Sequence, residues 1–174
     1  MFSFLPVFIV RGVHLRRRVV LAYLTIVSIA YAGFLLYPTL APRPSHVTGE
    51  GFFVWSLRRV YQVDPPYNCF PSLHVAYSCL AALVAYHVHR GLGLAALSWA
   101  AVVSVSTLFT KQHYVVDVVA GVAMAYAADA AFVRGAPRAW LAPQDRRLAP
   151  RRALAVPGIF GALVACAWLS YMTR

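Results

Sequence analysis

The chain has 174 residues, of which 61% are hydrophobic and only 12% charged, with a formal net charge of +11. Soluble domains carry about 25% charged residues, so this composition excludes an ordinary water-soluble protein and points to a fold whose apolar surface meets lipid. The basic residues stand in short blocks between apolar runs, Arg11 and Arg16–Arg18 first and Arg134, Arg138, Arg146, Arg147, Arg151 and Arg152 later; this is the distribution of cytoplasmic loops, and no nucleic-acid partner is implied.

Residues 1–10 are apolar but lack the charged front and cleavage site of a signal peptide. They are too few to cross a bilayer, which takes about 20 helical residues, and read as a re-entrant or interfacial piece, or as the remainder of a span that starts outside this reading frame. The first full span is 19–38, closed by Tyr37 as an interface anchor. A proline-stiffened loop follows over 39–71. Within it, residues 51–62 suit a short amphipathic helix, with Phe52, Phe53, Trp55 and Leu57 toward lipid and Arg58 and Arg59 toward headgroups. A second span, 73–90, begins after Pro71 with Ser72 as its N-cap. A turn at Gly91-Leu92-Gly93 leads to a third span, 93–110. The fourth is 113–133, where Gly121 and Ala125 allow close helix approach; the last is 153–172. The expected fold is all-α: one polytopic membrane domain over 1–174, with about five transmembrane helices and a short apolar N-terminal segment. Placing Arg16–Arg18 in the cytoplasm puts the 39–71 loop and Lys111 outside, with Arg90 and the 134–152 loop inside, so span parity and charge bias agree.

Polar groups buried without partners cost about 2–7 kcal/mol, so a polar cluster among apolar runs calls for a reason. Pro71-Ser72-Leu73-His74 and the run from Ser106 to Asp117 form such a cluster. His113 and Asp117 are four apart, one helical turn, so the carboxylate can orient the imidazole and leave its other nitrogen as a nucleophile. His74, His113 and Ser106 fall at helix ends on one face of the membrane. Arg43, Lys111, Ser72 at its helix start, Ser106 and Thr107 are the candidate phosphate binders. Phosphoryl transfer needs an in-line nucleophile, positive charge around the phosphoryl oxygens and a proton donor for the leaving oxygen. The assignment is His113 as nucleophile, Asp117 as its orienter and His74 as acid and then base. Taken singly, His74 could be an interhelical hydrogen-bonding residue and Asp117 a structural partner of Lys111; it is their convergence that argues for chemistry. His87 and His89 read as headgroup-facing, and Asp129 as a pairing or snorkelling residue. The cysteines, Cys69, Cys79 and Cys166, offer no metal spacing, and neither metal nor cofactor is expected.

These residues resemble the type 2 phosphatidic acid phosphatase (PAP2) superfamily, whose core is shared with vanadium haloperoxidases. Pro71-Ser72-Leu73-His74 matches its second signature, Ser106, His113 and Asp117 its third, and Arg43-Pro44 the end of its first. The matching core covers about 19–133. Leu36 stands where the first signature has lysine, Thr107 where the third has arginine, and Leu73 where the second has glycine; Lys111 is the local substitute for the missing cations. The runs STLFTKQHYVVDVVAG and YNCFPSLHVAYS are similar to the branch containing fungal inositol phosphorylceramide synthase and its bacterial relatives. The resemblance implies a metal-independent lipid phosphate phosphatase working through a phosphohistidine on a phospholipid or isoprenoid phosphate, at the outer face of a bacterial cytoplasmic membrane. The alternatives are a phosphotransferase that moves a phosphoryl headgroup to a lipid alcohol, and a catalytically weakened headgroup-binding protein.

Overall fold

The computed structural model describes residues 10, 12–137 and 155–173. The N-terminal segment 1–9, most of the basic 134–152 loop and the first residues of the last expected span lie outside them. Six α-helices follow one another among these residues: α1 Val13–Leu36, α2 Phe52–Val63, α3 Leu73–Val88, α4 Arg90–Phe109, α5 Val115–Ala128 and α6 Ala155–Met172. A π-helical turn, Asp129–Val133, extends α5. There is no strand among the described residues, only an isolated antiparallel bridge between Leu40 and Tyr67. The chain is a helical membrane bundle, as its composition requires.

Among the described residues, three helices are long and apolar enough to cross a membrane: α1, α4 and α5 with its π turn. The remaining two expected spans form helices, but their apolar stretches Leu73–Val88 and Gly161–Met172 are shorter. α3 is the central helix. It is apolar nearly all round and buries Val75, Ala76, Cys79, Leu80, Ala82, Leu83, Val84, Ala85 and Val88, the behaviour of a helix enclosed by neighbours. It packs against α4, α5 and α1. Lipid-facing side chains on the outer helices stay exposed, among them Leu24, Ile29, Val102, Val105 and Val119.

Several expected boundaries move. α1 begins at Val13 and takes in Arg16–Arg18, because the helix continues through residues of good helix propensity past the edge of the apolar run. The expected turn at Gly91-Leu92-Gly93 is instead the first turn of α4, and the break falls at His89 alone. His89 is extended (φ −151°, ψ 113°), and its Nδ1 accepts a hydrogen bond from the Leu92 amide at 3.2 Å, so the imidazole caps α4. Gly93 serves packing: a Cβ there would lie 2.2 Å from the Tyr86 Cα. At the other end of α3 a Cβ on Gly121 would lie 2.6 Å from the Ser72 carbonyl oxygen, and Ala125 is fully buried. Small residues thus let α4 and α5 close on α3, as the pattern on α5 suggested.

α2 forms where amphipathicity predicts it, but its aromatic face does not all meet lipid. Trp55 is buried, and Phe52 and Trp55 pack on Tyr171 of α6, with Phe52 also on Trp168. Phe53 alone of that trio is exposed. Arg58 binds the carbonyls of Val47 and Gly49. Away from Ser72, the far end of the bundle holds a second polar cluster. Asp129 is fully buried and pairs with His87 at 2.9 Å and Arg134 at 3.3 Å. The pairing expected of Asp129 is therefore present, whereas His87 is its partner and not a headgroup-facing residue, because a buried carboxylate demands a donor.

Gly93→Ala is expected to destabilise the bundle by about 1–3 kcal/mol, the range of overpacking substitutions. Gly91→Ala, where the new Cβ meets only the His89 ring at 3.3 Å, is expected to leave stability nearly unchanged. Thermal unfolding of both variants in detergent checks the contrast, and equal melting points would contradict the close α3–α4 approach.

Candidate active site

Ser72 starts α3. Its side chain is buried and accepts from the Val75 amide at 3.4 Å, the expected N-cap. One residue further, Leu73 and His74 turn toward a cleft at this end of the bundle. The cleft has a volume of about 190 Å³ and is lined by Phe34, Arg43, Asp64, Pro65, Tyr67, Asn68, Cys69, Leu73, His74, Gln112 and His113. Drug-sized ligands occupy roughly 300–1,000 Å³, so this space suits a phosphoryl headgroup while lipid chains remain outside.

The loop that brings Arg43 and Cys69 here is zipped to itself. Ala41 N donates to the Pro66 carbonyl and Asn68 N to the Thr39 carbonyl, while Thr39 Oγ1 accepts from the amides of both Cys69 and Phe70 at 2.9 Å. Fixed in this way, the Cys69 carbonyl meets His113 Nδ1 at 2.8 Å. A carbonyl oxygen can only accept, so Nδ1 carries the hydrogen and Nε2 presents its lone pair. Asp117 Oδ2 lies further from the same nitrogen, at 3.5 Å, and accepts from the Tyr114 amide at 2.8 Å. His113 precedes the first residue of α5, so the one-turn relation expected from spacing is a cap geometry: Asp117 closes the helix start and reaches back to the imidazole.

The His74 and His113 rings stand 5.8 Å apart between centroids, close enough for both to reach one small group. His74 is exposed, whereas only 8% of the His113 side chain is accessible. Burial, and next the neighbouring His74, lower the His113 pKa from its ordinary 6.5, against opposing contributions from the Cys69 carbonyl and Asp117. The neutral form is thereby favoured at neutral pH.

Of the residues expected at the site, Arg43, His74 and His113 line the cleft and Asp117 is buried behind it. The others stand elsewhere. Lys111 is exposed in a left-handed turn (φ 52°). Ser106 is exposed, with its hydroxyl on the Val103 carbonyl, and the buried Thr107 hydroxyl bonds the Ser104 carbonyl. The Thr107 carbonyl does contribute, accepting from the amides of Gln112 and His113. Cys69 is buried; burial raises its thiol pKa, and its contribution to the site is its carbonyl.

Two cleft residues went unrecognised in the sequence. Asp64 Oδ2 takes Arg43 Nη2 at 3.0 Å and Gln112 Nε2 at 2.7 Å, and Arg43 Nη1 also donates to the Asp64 carbonyl. The guanidinium lies over the Tyr61 ring at 4.8 Å, and Tyr61 in turn donates to the Thr110 carbonyl. The available signal was scarcity: a chain with five acidic residues spends one of them beside Pro65-Pro66. No group of three or more metal-ligating side chains occurs among the described residues.

Fold and site together define an integral-membrane helical bundle with a histidine pair over an arginine-bearing cleft. A family profile for the PAP2 superfamily matches residues 1–131. The chain belongs to that superfamily, whose members are generally phosphatases or phosphotransferases. Comparison with curated proteins and with solved structures returns no significant match.

Asp117→Asn removes a carboxylate that raises the His113 pKa, so that pKa falls further. On the assignment of His113 as nucleophile, its protonation silences the reaction, so the acid limb of kcat/KM is expected to move to lower pH. The maximal rate is expected to fall about tenfold to a hundredfold, from one weakened charge-assisted hydrogen bond worth about 1.5–3 kcal/mol. A pH–rate profile of both proteins tests the sign, and a limb moving toward higher pH would contradict the arrangement.

Proposed function

We propose that this protein is a metal-independent lipid phosphate phosphatase that works through a phosphohistidine on His113. The observation that carries this reading is the His74–His113 pair facing a cleft walled by Arg43. The His113 Nε2 lone pair attacks phosphorus, the bond to the leaving oxygen breaks, and His74 supplies the proton that oxygen takes up. Water then attacks the phosphorus, His74 accepts its proton, and the P–N bond breaks to restore His113. Arg43 offers positive charge to the phosphoryl oxygens; Cys69 and Asp117 hold the imidazole without touching substrate. The exposure of His74 favours water as the acceptor.

Transfer to a lipid alcohol is the second reading. Leu73, beside His74 in the cleft wall, and Phe34 and Tyr67 nearby give an acceptor chain an apolar edge, and the resemblance of the Thr110-to-Tyr114 run to the phosphotransferase branch points the same way. For orientation we propose that the cleft faces outward, with Arg18, Arg134 and the later arginines in the cytoplasm.

Incubation with short-chain phosphatidic acid labelled in its phosphate is expected to leave label on the protein that survives alkali and is lost in acid. His113→Ala is expected to insert normally, carry no label and release no phosphate; a labelled, active His113→Ala would overturn the assignment. With an added diacylglycerol or ceramide acceptor, label appearing on that lipid faster than in water would reverse the order of the two readings.

The orientation has its own test. A single cysteine at exposed Asn68, with the three native cysteines replaced, is expected to react in intact cells with a membrane-impermeant thiol reagent. Protection there, with reaction at Arg134→Cys, would invert the topology.

A further inference from the structure

The way Arg43 is held gives Asp64 a role of its own, which rests on the phosphoryl-transfer reading above. A guanidinium offers two edges that can each hold a pair of oxygens, one made of both terminal nitrogens and one of Nε with Nη2. In Arg43 a single residue takes the first edge. Nη2 donates to the Asp64 carboxylate at 3.0 Å and Nη1 to the Asp64 carbonyl. The second edge keeps its Nε donor, which is buried and has no partner among the described residues. Only 7% of the Arg43 side chain is exposed, and it lines the cleft together with both histidines. A buried donor left over in such a place calls for an acceptor.

Further contacts hold the arrangement. Asp64 is the C-cap of α2, with its amide on the Val60 carbonyl, so the carboxylate is anchored to a helix end. Its Oδ2 also accepts from Gln112 Nε2 at 2.7 Å, and the Gln112 amide oxygen in turn accepts from Thr110 Oγ1 at 2.8 Å. The Tyr61 ring lies against the guanidinium face at 4.8 Å.

We infer that Asp64 is a positioning residue: by occupying the terminal edge of the Arg43 guanidinium, it turns the Nε edge to the phosphoryl oxygens. Long-range charge does not account for the arrangement. Asp64 offsets Arg43, Asp117 behind the cleft adds a negative charge, and His74 in its acid form adds a positive one. What Arg43 retains is direction, since its N–H bonds are strong at short range only when aimed at their acceptors. Asp64 does not touch the phosphoryl group and acts through Arg43 alone. Hydrolysis and transfer need this aim equally, because both begin with the same group bound beside His113.

The test is the affinity of inorganic phosphate for the full-length protein in detergent at neutral pH, read by phosphorus NMR titration. Asp64→Leu and Asp64→Ala both remove the acceptor, the first while keeping side-chain bulk, and whichever folds is expected to bind phosphate about tenfold more weakly, the order of one misdirected charge-assisted hydrogen bond. Asp64→Asn, whose amide oxygen can still accept from Arg43, is expected to bind as the wild type does. Arg43→Ala is expected to weaken binding, and adding Asp64→Leu or Asp64→Ala to it to cost nothing more, since no guanidinium remains to be aimed. Wild-type affinity in the variants without the acceptor overturns the inference, and so does a further loss in the Arg43→Ala background, which would mean that Asp64 only ties the loop to α2. A tenfold loss in Asp64→Asn also overturns it, by placing the effect on charge. If the folded wild type binds no phosphate, the phosphoryl-transfer reading falls and takes this inference with it. If the wild type binds phosphate and Arg43→Ala binds it equally well, only the inference falls.

Discussion

A single hydrogen bond organises the site: the one from His113 Nδ1 to the Cys69 carbonyl. It joins two segments that are 44 residues apart in the chain and decides which imidazole nitrogen is free to react. Its donor depends on the Thr107 carbonyl, which gathers the amides of Gln112 and His113, and on Asp117 closing the start of α5. Its acceptor depends on Thr39, whose one hydroxyl oxygen receives two successive amides. Both sides are locked together where the Ser72 amide donates to the Asp117 carbonyl at 3.2 Å, under the gap that Gly121 leaves open. Each of these contacts satisfies a backbone group that a low-dielectric environment would otherwise penalise, so holding the loop and fixing the imidazole are one event.

This explains why the sequence was legible in some places and opaque in others. The apolar runs gave the helices because periodicity and length are chain-local properties. The two histidine signatures pointed to His74, His113 and Asp117, and the fold brings all three to one end of the bundle. The Cys69 carbonyl was invisible: every residue has one, and nothing in its side chain marks which carbonyl an imidazole will find. Lys111 illustrates a related difficulty. It is two residues from His113, but its own backbone is left-handed and Gln112 lines the cleft in its place, so adjacency in the chain did not become adjacency in space. At His89, glycines on either side of Leu92 suggested a turn, yet the imidazole supplied the cap and the glycines were taken up by helix packing.

The bundle carries its polar groups at two ends, and the two are built differently. At the cleft the groups are held by loops and retain spare capacity, seen in the Arg43 Nε and the open side of His74. At the other end Asp129 is enclosed, with His87 and Arg134 on its carboxylate and Arg18 reaching the Phe132 carbonyl at 3.4 Å. The π turn starts at Asp129 and closes with the Arg134 amide on the Asp129 carbonyl at 2.8 Å, and the extra residue in that ring rotates the side chains that follow Asp129. Among the described residues, the Asp129 end is closed on itself, whereas the cleft end keeps a donor to spare.

The short central helix has a consequence for how the bundle sits in a bilayer. With 16 residues, α3 is about 24 Å long, whereas the hydrocarbon slab is about 30 Å thick. Its ends therefore cannot both stand at the water boundary unless the bilayer thins around them. At the cleft end the Ser72 amide meets the carbonyl of Asp117, two residues inside α5, so α3 starts a step below the helix beside it and His74, on its first turn, stands in a recess.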